Sequence, residues 1–210
     1  MEHTETKIGI RAKTKAARPR EIIDAAYEEF SRKGYHATRI DDVAKRLGMT
    51  KGTIYFYFEN KEVLFSSMIE EHGREVFADI SSFHASLTGS AREKIRQLLD
   101  FLYDHVNANP RGREMIRFLI AEGKEFPAVV DRHIAEFVDP LLTLCGQFLK
   151  EGAASGEFKP MAAEISPFLV FSPLLAAVTM GLLKGGPVDQ FGPDGIDHYM
   201  TILMDGLAAR

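Results

Sequence analysis

The chain has 210 residues, 45% of them hydrophobic, a formal net charge of −4 and a single cysteine, Cys145. That length holds one small and one larger unit with an ample core. A lone cysteine excludes a disulfide framework and a cysteine metal cluster. No run reaches the ~18 uninterrupted apolar residues of a membrane span, and the N-terminus lacks a secretory signal's apolar run, which points to the cytoplasm and away from membranes.

The net charge hides an asymmetry. Residues 1–61 carry 13 Lys+Arg against 9 Asp+Glu, whereas residues 62–210 carry 13 against 21. A basic head on an acidic body is the electrostatic footprint of a nucleic-acid binder, although a swing of this size also arises by chance. Residues 1–18, with Lys7, Arg11, Lys13, Lys15 and Arg18, show no periodicity and read as a basic flexible arm. Such an arm either tracks phosphates or is a solvated tail. Pro19 suits the first turn of a helix that ends near Gly34.

Residues 38–61 read as two short helices joined by a tight turn. Thr38 is a good N-cap for a helix from about Arg39 to Leu47, with Asp41 and Asp42 at its positive end. Val43, Ala44 and Leu47 form its apolar stripe, and Ala44 is small enough to let the next helix approach. Gly48 supplies the left-handed turn. Thr50 caps the second helix and Ile54 and Tyr57 face inward, leaving Lys51, Thr53 and Tyr55 outward at its start, the part of a recognition helix that reaches base edges. Gly52 lets the backbone approach a phosphate. A helical hairpin with no ligand is the plain alternative, but cap, small residue, turn glycine and anchor all fit a helix-turn-helix at once.

The segment from Glu21 to Leu64 resembles the amino-terminal domain of the TetR family of bacterial regulators. The matching residues are Ile22-Ile23-Asp24-Ala25-Ala26, Phe30, Gly34-Tyr35, Thr38, Ile40, Val43-Ala44, Gly48, Lys51-Gly52-Thr53-Ile54-Tyr55, Tyr57-Phe58 and Lys61-Glu62-Val63-Leu64. The resemblance implies that Thr38, Tyr57 and Lys61 contact DNA phosphates and that Thr50, Lys51, Gly52, Thr53 and Tyr55 form the recognition surface. Phe58 reads better as core. The family resemblance also implies an all-α fold: a three-helix DNA-binding domain over 19–64 and a larger helical ligand-binding and dimerisation domain over 65–210.

Beyond Lys61 the pattern is helical throughout. A helix over about 61–82 links head and body. Residues 91–107 are amphipathic, with Ile95, Leu98, Leu99, Leu102 and Val106 on one face. Asn109-Pro110 breaks that helix, a second covers about 111–122, and Pro127 opens a long one to about Ala153 that kinks at Pro140. Residues 164–184 are apolar on nearly every face, which calls for cover by the body's own core on one side and a second subunit on the other. The last helix, about 194–209, has a stripe of Ile196, Tyr199, Met200, Leu203 and Leu207. The resemblance implies a four-helix homodimer interface from such helices.

The family binds small effectors, and aromatic residues of the body offer a lining for one. The candidate ligand residues are Phe101, His105, Phe118, Glu122, Phe137, Leu141, Phe171 and Leu175, with Arg117 and His133 as further polar candidates. Each phenylalanine reads equally as core. The expected partners are therefore a palindromic double-stranded DNA operator, a second copy of the chain, and a small apolar or aromatic effector, with repression as the family's usual mode and the bacterial nucleoid as its place. No cofactor or metal is called for: the seven histidines form neither an HExxH pair nor a cluster at ligand spacing. The alternatives are a non-specific architectural DNA-binding protein and an all-helical enzyme. The latter lacks a phosphate loop or a nucleophile elbow.

Overall fold

A computed structural model of the chain describes residues 2–185 and 194–208. Its packing divides the chain into two units, one running up to His72 and one from Gly73 onward. Among the described residues no strand forms, and a single antiparallel bridge joins Phe158 to Ala208.

The first unit is built from α1 (Glu2–Ala37), α2 (Ile40–Arg46), α3 (Lys51–Tyr57) and the first part of α4 (Lys61–Val76). Helix α1 corrects two expectations. It runs back through the segment read as a flexible arm, and Pro19 lies inside it rather than at its start. The arm's Lys, Arg, Glu and Ala residues are good helix formers, so an existing helix propagates through them without needing a core of its own. The kink falls where a helix end was expected, at Gly34, with φ 75° and ψ 171°. Its apolar face buries Ile22, Ile23, Ala26 and Phe30. Phe30 meets the Phe65 ring edge-on at 5.1 Å, and Tyr35 tilts against Phe65 at 4.9 Å.

Leu64, Phe65, Met68, Ile69 and His72 of α4 are all buried at helical spacing. The first unit therefore extends past the 64/65 boundary read from the motif, because the motif ends before the helix stops packing. Helix α4 itself ends at Val76 instead of running to residue 82, and α5 (Ile80–Ser86) follows after a turn. Gly73, a poor helix former, lies in its last turn.

Glu29 ties α1 to α2. Its carboxylate is 6% exposed, and one oxygen accepts from Nε and a terminal nitrogen of Arg46 at 2.9 and 2.8 Å. The other accepts from Arg32 at 2.6 Å, with Lys33 at 3.4 Å. Burial pushes the Glu29 carboxyl up, but the hydrogen bonds from Arg46, Arg32 and Lys33 outweigh it and hold it below its ordinary value.

The second unit contains α5, α6 (Ala91–Leu102), α7 (Pro110–Glu122), α8 (Pro127–His133), α9 (Asp139–Ser155), α10 (Pro167–Lys184) and α11 (Gly195–Leu207). Helix α6 opens on a reciprocal cap, with Ser90 accepting from the Glu93 N–H and the Glu93 carboxylate accepting from the Ser90 N–H. Ile95, Leu98, Leu99, Leu102 and Val106 are buried as their spacing predicts. Two π-helical stretches interrupt the helices: Tyr103–Ala108 after α6, and Ile134–Val138 between α8 and α9. The second corrects the expected simple kink at Pro140. Proline has no N–H to give the carbonyl four residues back, so the ladder widens in the turn before it.

Helix α10 is 18 residues long with a mean hydropathy of 1.6, enough by length and composition alone to cross a membrane and more than the sequence reading allowed. It buries Val170, Phe171, Ala177, Val178 and Gly181 in the second unit. Phe168, Leu169, Leu175, Met180 and Leu183 remain exposed. Tyr199 of α11 donates its hydroxyl to the Val170 carbonyl at 2.8 Å.

The two units should respond to acid in different windows. Glu29 contributes stability that is complete above its ordinary value of 4.5 and fades as pH falls through its lower folded value. Glu29→Gln should cost the first unit about 1–3 kcal/mol at neutral pH, measured by urea denaturation, and remove part of its acid sensitivity. In the second unit, burial pushes the His133 imidazole down to about 4 from 6.5. The unfolded chain takes up that proton first, so stability should fall by about 3 kcal/mol between pH 6.5 and 4. His133→Leu should flatten that slope.

Candidate nucleic-acid interface

The turn between α2 and α3 sets the geometry. Gly48 sits at φ +62°, the left-handed region that favours glycine. Its N–H reaches the Lys45 carbonyl at 3.2 Å, and the Met49 N–H reaches Ala44 at 2.9 Å. These are the two bonds of a Schellman ending, so the orphan carbonyls of α2 are satisfied as the chain reverses. Thr50 then caps α3, accepting the Thr53 N–H at 3.2 Å, and its hydroxyl lies 2.9 Å from that of Thr53.

Helix α3 has one fully buried residue, Ile54, and Val43, Ala44 and Phe58 of the same small unit are buried as well. Everything opposite Ile54 faces outward: Lys51, Gly52, Tyr55 and Phe56 are exposed, and Thr53 is half-buried. Lys51 is paired with Asp41 at 3.2 Å and lies 5.7 Å from the Tyr55 ring centre. Both are surface contacts, of the kind worth little in water, so the ammonium is available to an anion. No Cβ-sized obstacle lies near Gly52 except the Thr50 hydroxyl at 3.8 Å.

The three residues assigned to phosphate contacts separate. Lys61 donates to the His36 carbonyl at 3.3 Å and sits 4.2 Å over the Tyr35 ring. Tyr57 is half-buried, with its ring edge-on to Phe56 at 5.1 Å. Thr38 is 1% exposed, and its hydroxyl faces the carbonyls of Gly34 at 2.8 Å and Glu29 at 3.1 Å. Two expectations are corrected here. Thr38 spends its hydroxyl bracing α1 and holds the turn instead of presenting a donor outward. The N-cap of α2 is Arg39, where the Asp42 carboxylate reaches back to the Arg39 N–H at 3.1 Å.

Sequence reasoning missed Phe56, which is 72% exposed on the face of α3 that carries Gly52. The signal was present. Counting round the helix from the anchor Ile54 places residue 56 about 200° away.

Of the grooves described in the second unit, none is lined by more than one of the eight ligand candidates. Phe101 stacks between Phe83 at 4.1 Å and His105 at 4.0 Å, and His105 Nδ1 lies 2.8 Å from the Phe101 carbonyl. Phe137 stacks on Phe77 at 5.1 Å and tilts against His133 at 5.1 Å. Phe118 and Phe171 are core residues, Glu122 is buried, and the Arg117 guanidinium lies over the Phe118 ring at 4.5 Å. His133 Nδ1 finds no hydrogen-bond partner among the described residues. Leu175 projects to the surface at 37% exposure. Leu141 alone of the eight lines the open groove of about 570 Å³ beside α5, with Ile80, His84, Glu136, Asp139 and Leu144. Aromatic composition could not distinguish core from pocket, because both use the same residues at the same spacing. Cys145 is fully buried, and burial pushes its thiol up to about 12, the opposite of an activated nucleophile.

Residues 22–68 match the sequence model of the family described as "Bacterial regulatory proteins, tetR family". The chain is 26% identical over 178 residues to the fatty acid metabolism regulator protein of Bacillus subtilis, covering 83% of this chain and 90% of that one. Among solved structures, the fatty acid degradation regulator FadR from Bacillus halodurans superposes with a TM-score of 0.68 at 25% identity, covering 92% and 97% of the two chains. FadR from Bacillus subtilis in complex with stearoyl-CoA gives 0.65 at 23% identity, covering 89% and 97%.

Lys61→Ala should weaken binding to every DNA sequence alike and lower the salt slope by roughly one ion contact. Lys51→Ala or Thr53→Ala should instead change the preferred base at one half-site position, a loss on the order of 1–3 kcal/mol. Filter binding to a panel of single-base variants separates the two. Equal losses on every sequence for both classes would overturn the division of roles.

Proposed function

The chain belongs to the TetR family of transcriptional regulators, and from that premise we propose that it binds a palindromic operator as a homodimer, represses transcription there, and is released by a small effector held in the second unit. The observation that carries the DNA reading is the capped, glycine-turned approach of α2 to α3, which buries Ile54 and leaves Lys51, Gly52, Tyr55 and Phe56 facing out. One such helix reads only a few base pairs. Two related by a dyad read half-sites about one helical turn apart, ~34–36 Å.

The exposed apolar stripe of α10 supports the dimer. Phe168, Leu169, Leu175, Met180 and Leu183 recur at helical spacing on the side that the second unit leaves uncovered. Ile202 of α11 is 73% exposed as well. A contiguous row of this kind is what a self-complementary interface uses. In this reading Leu175 belongs to the subunit contact and not to a ligand pocket.

The effector is apolar or aromatic, and long acyl chains are the first class to test, because relatives at 25–26% identity regulate fatty acid metabolism. Glu136 and Asp139 on the groove beside α5 would repel an anionic headgroup there, so an acyl-CoA would have to enter elsewhere. The effector acts by binding one arrangement of the second unit more tightly than another. Such coupling is typically worth ~1–3 kcal/mol.

Selection of bound duplexes from a random pool by the purified protein should enrich a palindrome. Binding without enrichment would favour an architectural DNA-binding protein. Adding a saturating long-chain acyl-CoA should release the selected operator, and undiminished affinity would remove that class. Leu183→Arg should give a folded monomer by sedimentation, since Leu183 is 77% exposed in one protomer. Its operator affinity should drop roughly 10²-fold or more as the second half-site is lost. A Leu183→Arg protein that stays dimeric would place the interface elsewhere.

A further inference from the structure

Phe56 is among the most exposed large apolar side chains described, at 72%, and it stands on the helix this protein offers to DNA. At 3.6 residues per turn it shares a row with Gly52, four positions earlier, on the side of α3 away from Ile54. Gly52 contributes no side chain to that row, so nothing on α3 stands between the Phe56 ring and an approaching groove. Thr53 and Tyr55 lie to either side of it round the helix with a hydroxyl and a phenol, and Lys51 brings an ammonium to the start of the same helix. The Phe56 ring has no donor or acceptor. What it can recognise on a base edge is therefore apolar, and the apolar group that base edges present in the major groove is the C5-methyl of thymine.

We propose that Phe56 is a specificity-determining residue that reads a thymine methyl in each operator half-site. This rests on the DNA-binding reading above, and goes beyond it by naming a base and the atom contacted. The polar neighbours hold the helix on phosphate and hydrogen-bonding edges. Phe56 gains only where a methyl group meets its ring, so it discriminates thymine from cytosine and from uracil.

The test is a cycle on the operator selected by the wild-type protein. Each thymine of a half-site is replaced in turn by deoxyuridine, which removes the methyl and keeps the pairing. At one position, wild-type affinity should fall about fourfold, the effect of losing one buried methyl group. Phe56→Ala should weaken binding to the thymine operator and erase the difference between thymine and uracil at that position, while Phe56→Leu should retain part of it. The ring is mostly exposed and so contributes little to folding, and circular dichroism and sedimentation check both variants. If no deoxyuridine substitution matters, or if Phe56→Ala weakens both operators equally and leaves the methyl effect in place, the assignment is overturned while DNA binding stands. If the wild-type protein enriches no sequence at all, the operator-reading role falls and this assignment with it.

Discussion

Arg46 reaches back 17 residues to set two nitrogens on one oxygen of Glu29, and the recognition surface depends on that contact. Helix α3 has seven residues and one fully buried side chain. A helix so short has no stability of its own in water, and a single anchor does not fix its direction. Its orientation must come from α2, and α2 is just as short. Four devices lock α2 to the long α1: the Glu29 carboxylate, the Lys33–Asp42 ion pair at 2.7 Å, the Thr38 hydroxyl on two α1 carbonyls, and the apolar face of Ile40, Val43 and Ala44. The buried carboxylate is tolerable only because Arg46, Arg32 and Lys33 all converge on it. A carboxylate so placed serves direction more than stability, which suits a surface whose use depends on where three or four side chains point.

How far the sequence discloses this follows from the range of each interaction. The Gly48 turn, the Thr50 cap and the Ile54 anchor were legible because each is decided within five residues. The role of Thr38 was not, because two oxygens compete to cap α2. Asp42 reaches back to the Arg39 N–H, and this frees Thr38 to bond residues on the previous helix. The helical continuation through residues 2–18 was missed because amphipathic periodicity reports burial, and a helix needs none once a neighbouring turn has nucleated it. The π-helical stretch before Pro140 was half legible: a proline at mid-helix announces a defect in the ladder but not which way the ladder gives. The ligand residues were not legible at all. Phe101, Phe118, Phe137 and Phe171 satisfy a core and a pocket equally well, and three of those four residues have found aromatic or cationic neighbours within the second unit.

Large apolar side chains lie exposed in both units, and charge assigns each its partner. Phe56 belongs to the basic part of the chain, on the same short helix as the exposed Lys51, with Arg39 and Lys45 exposed on the adjoining α2 segment. A polyanion is drawn to that surface from a distance. The stripe on α10 belongs to the acidic part, and Lys184 is the single charged residue in the helix. Nucleic acid is repelled from the acidic body. In the proposed dimer a second copy of the chain would meet a row with almost no charge to desolvate, so association there would avoid the mutual repulsion of two acidic bodies. In the proposed dimer, the same asymmetry that favours phosphate at the head would keep DNA off the α10 stripe and leave that face to a second copy of the chain.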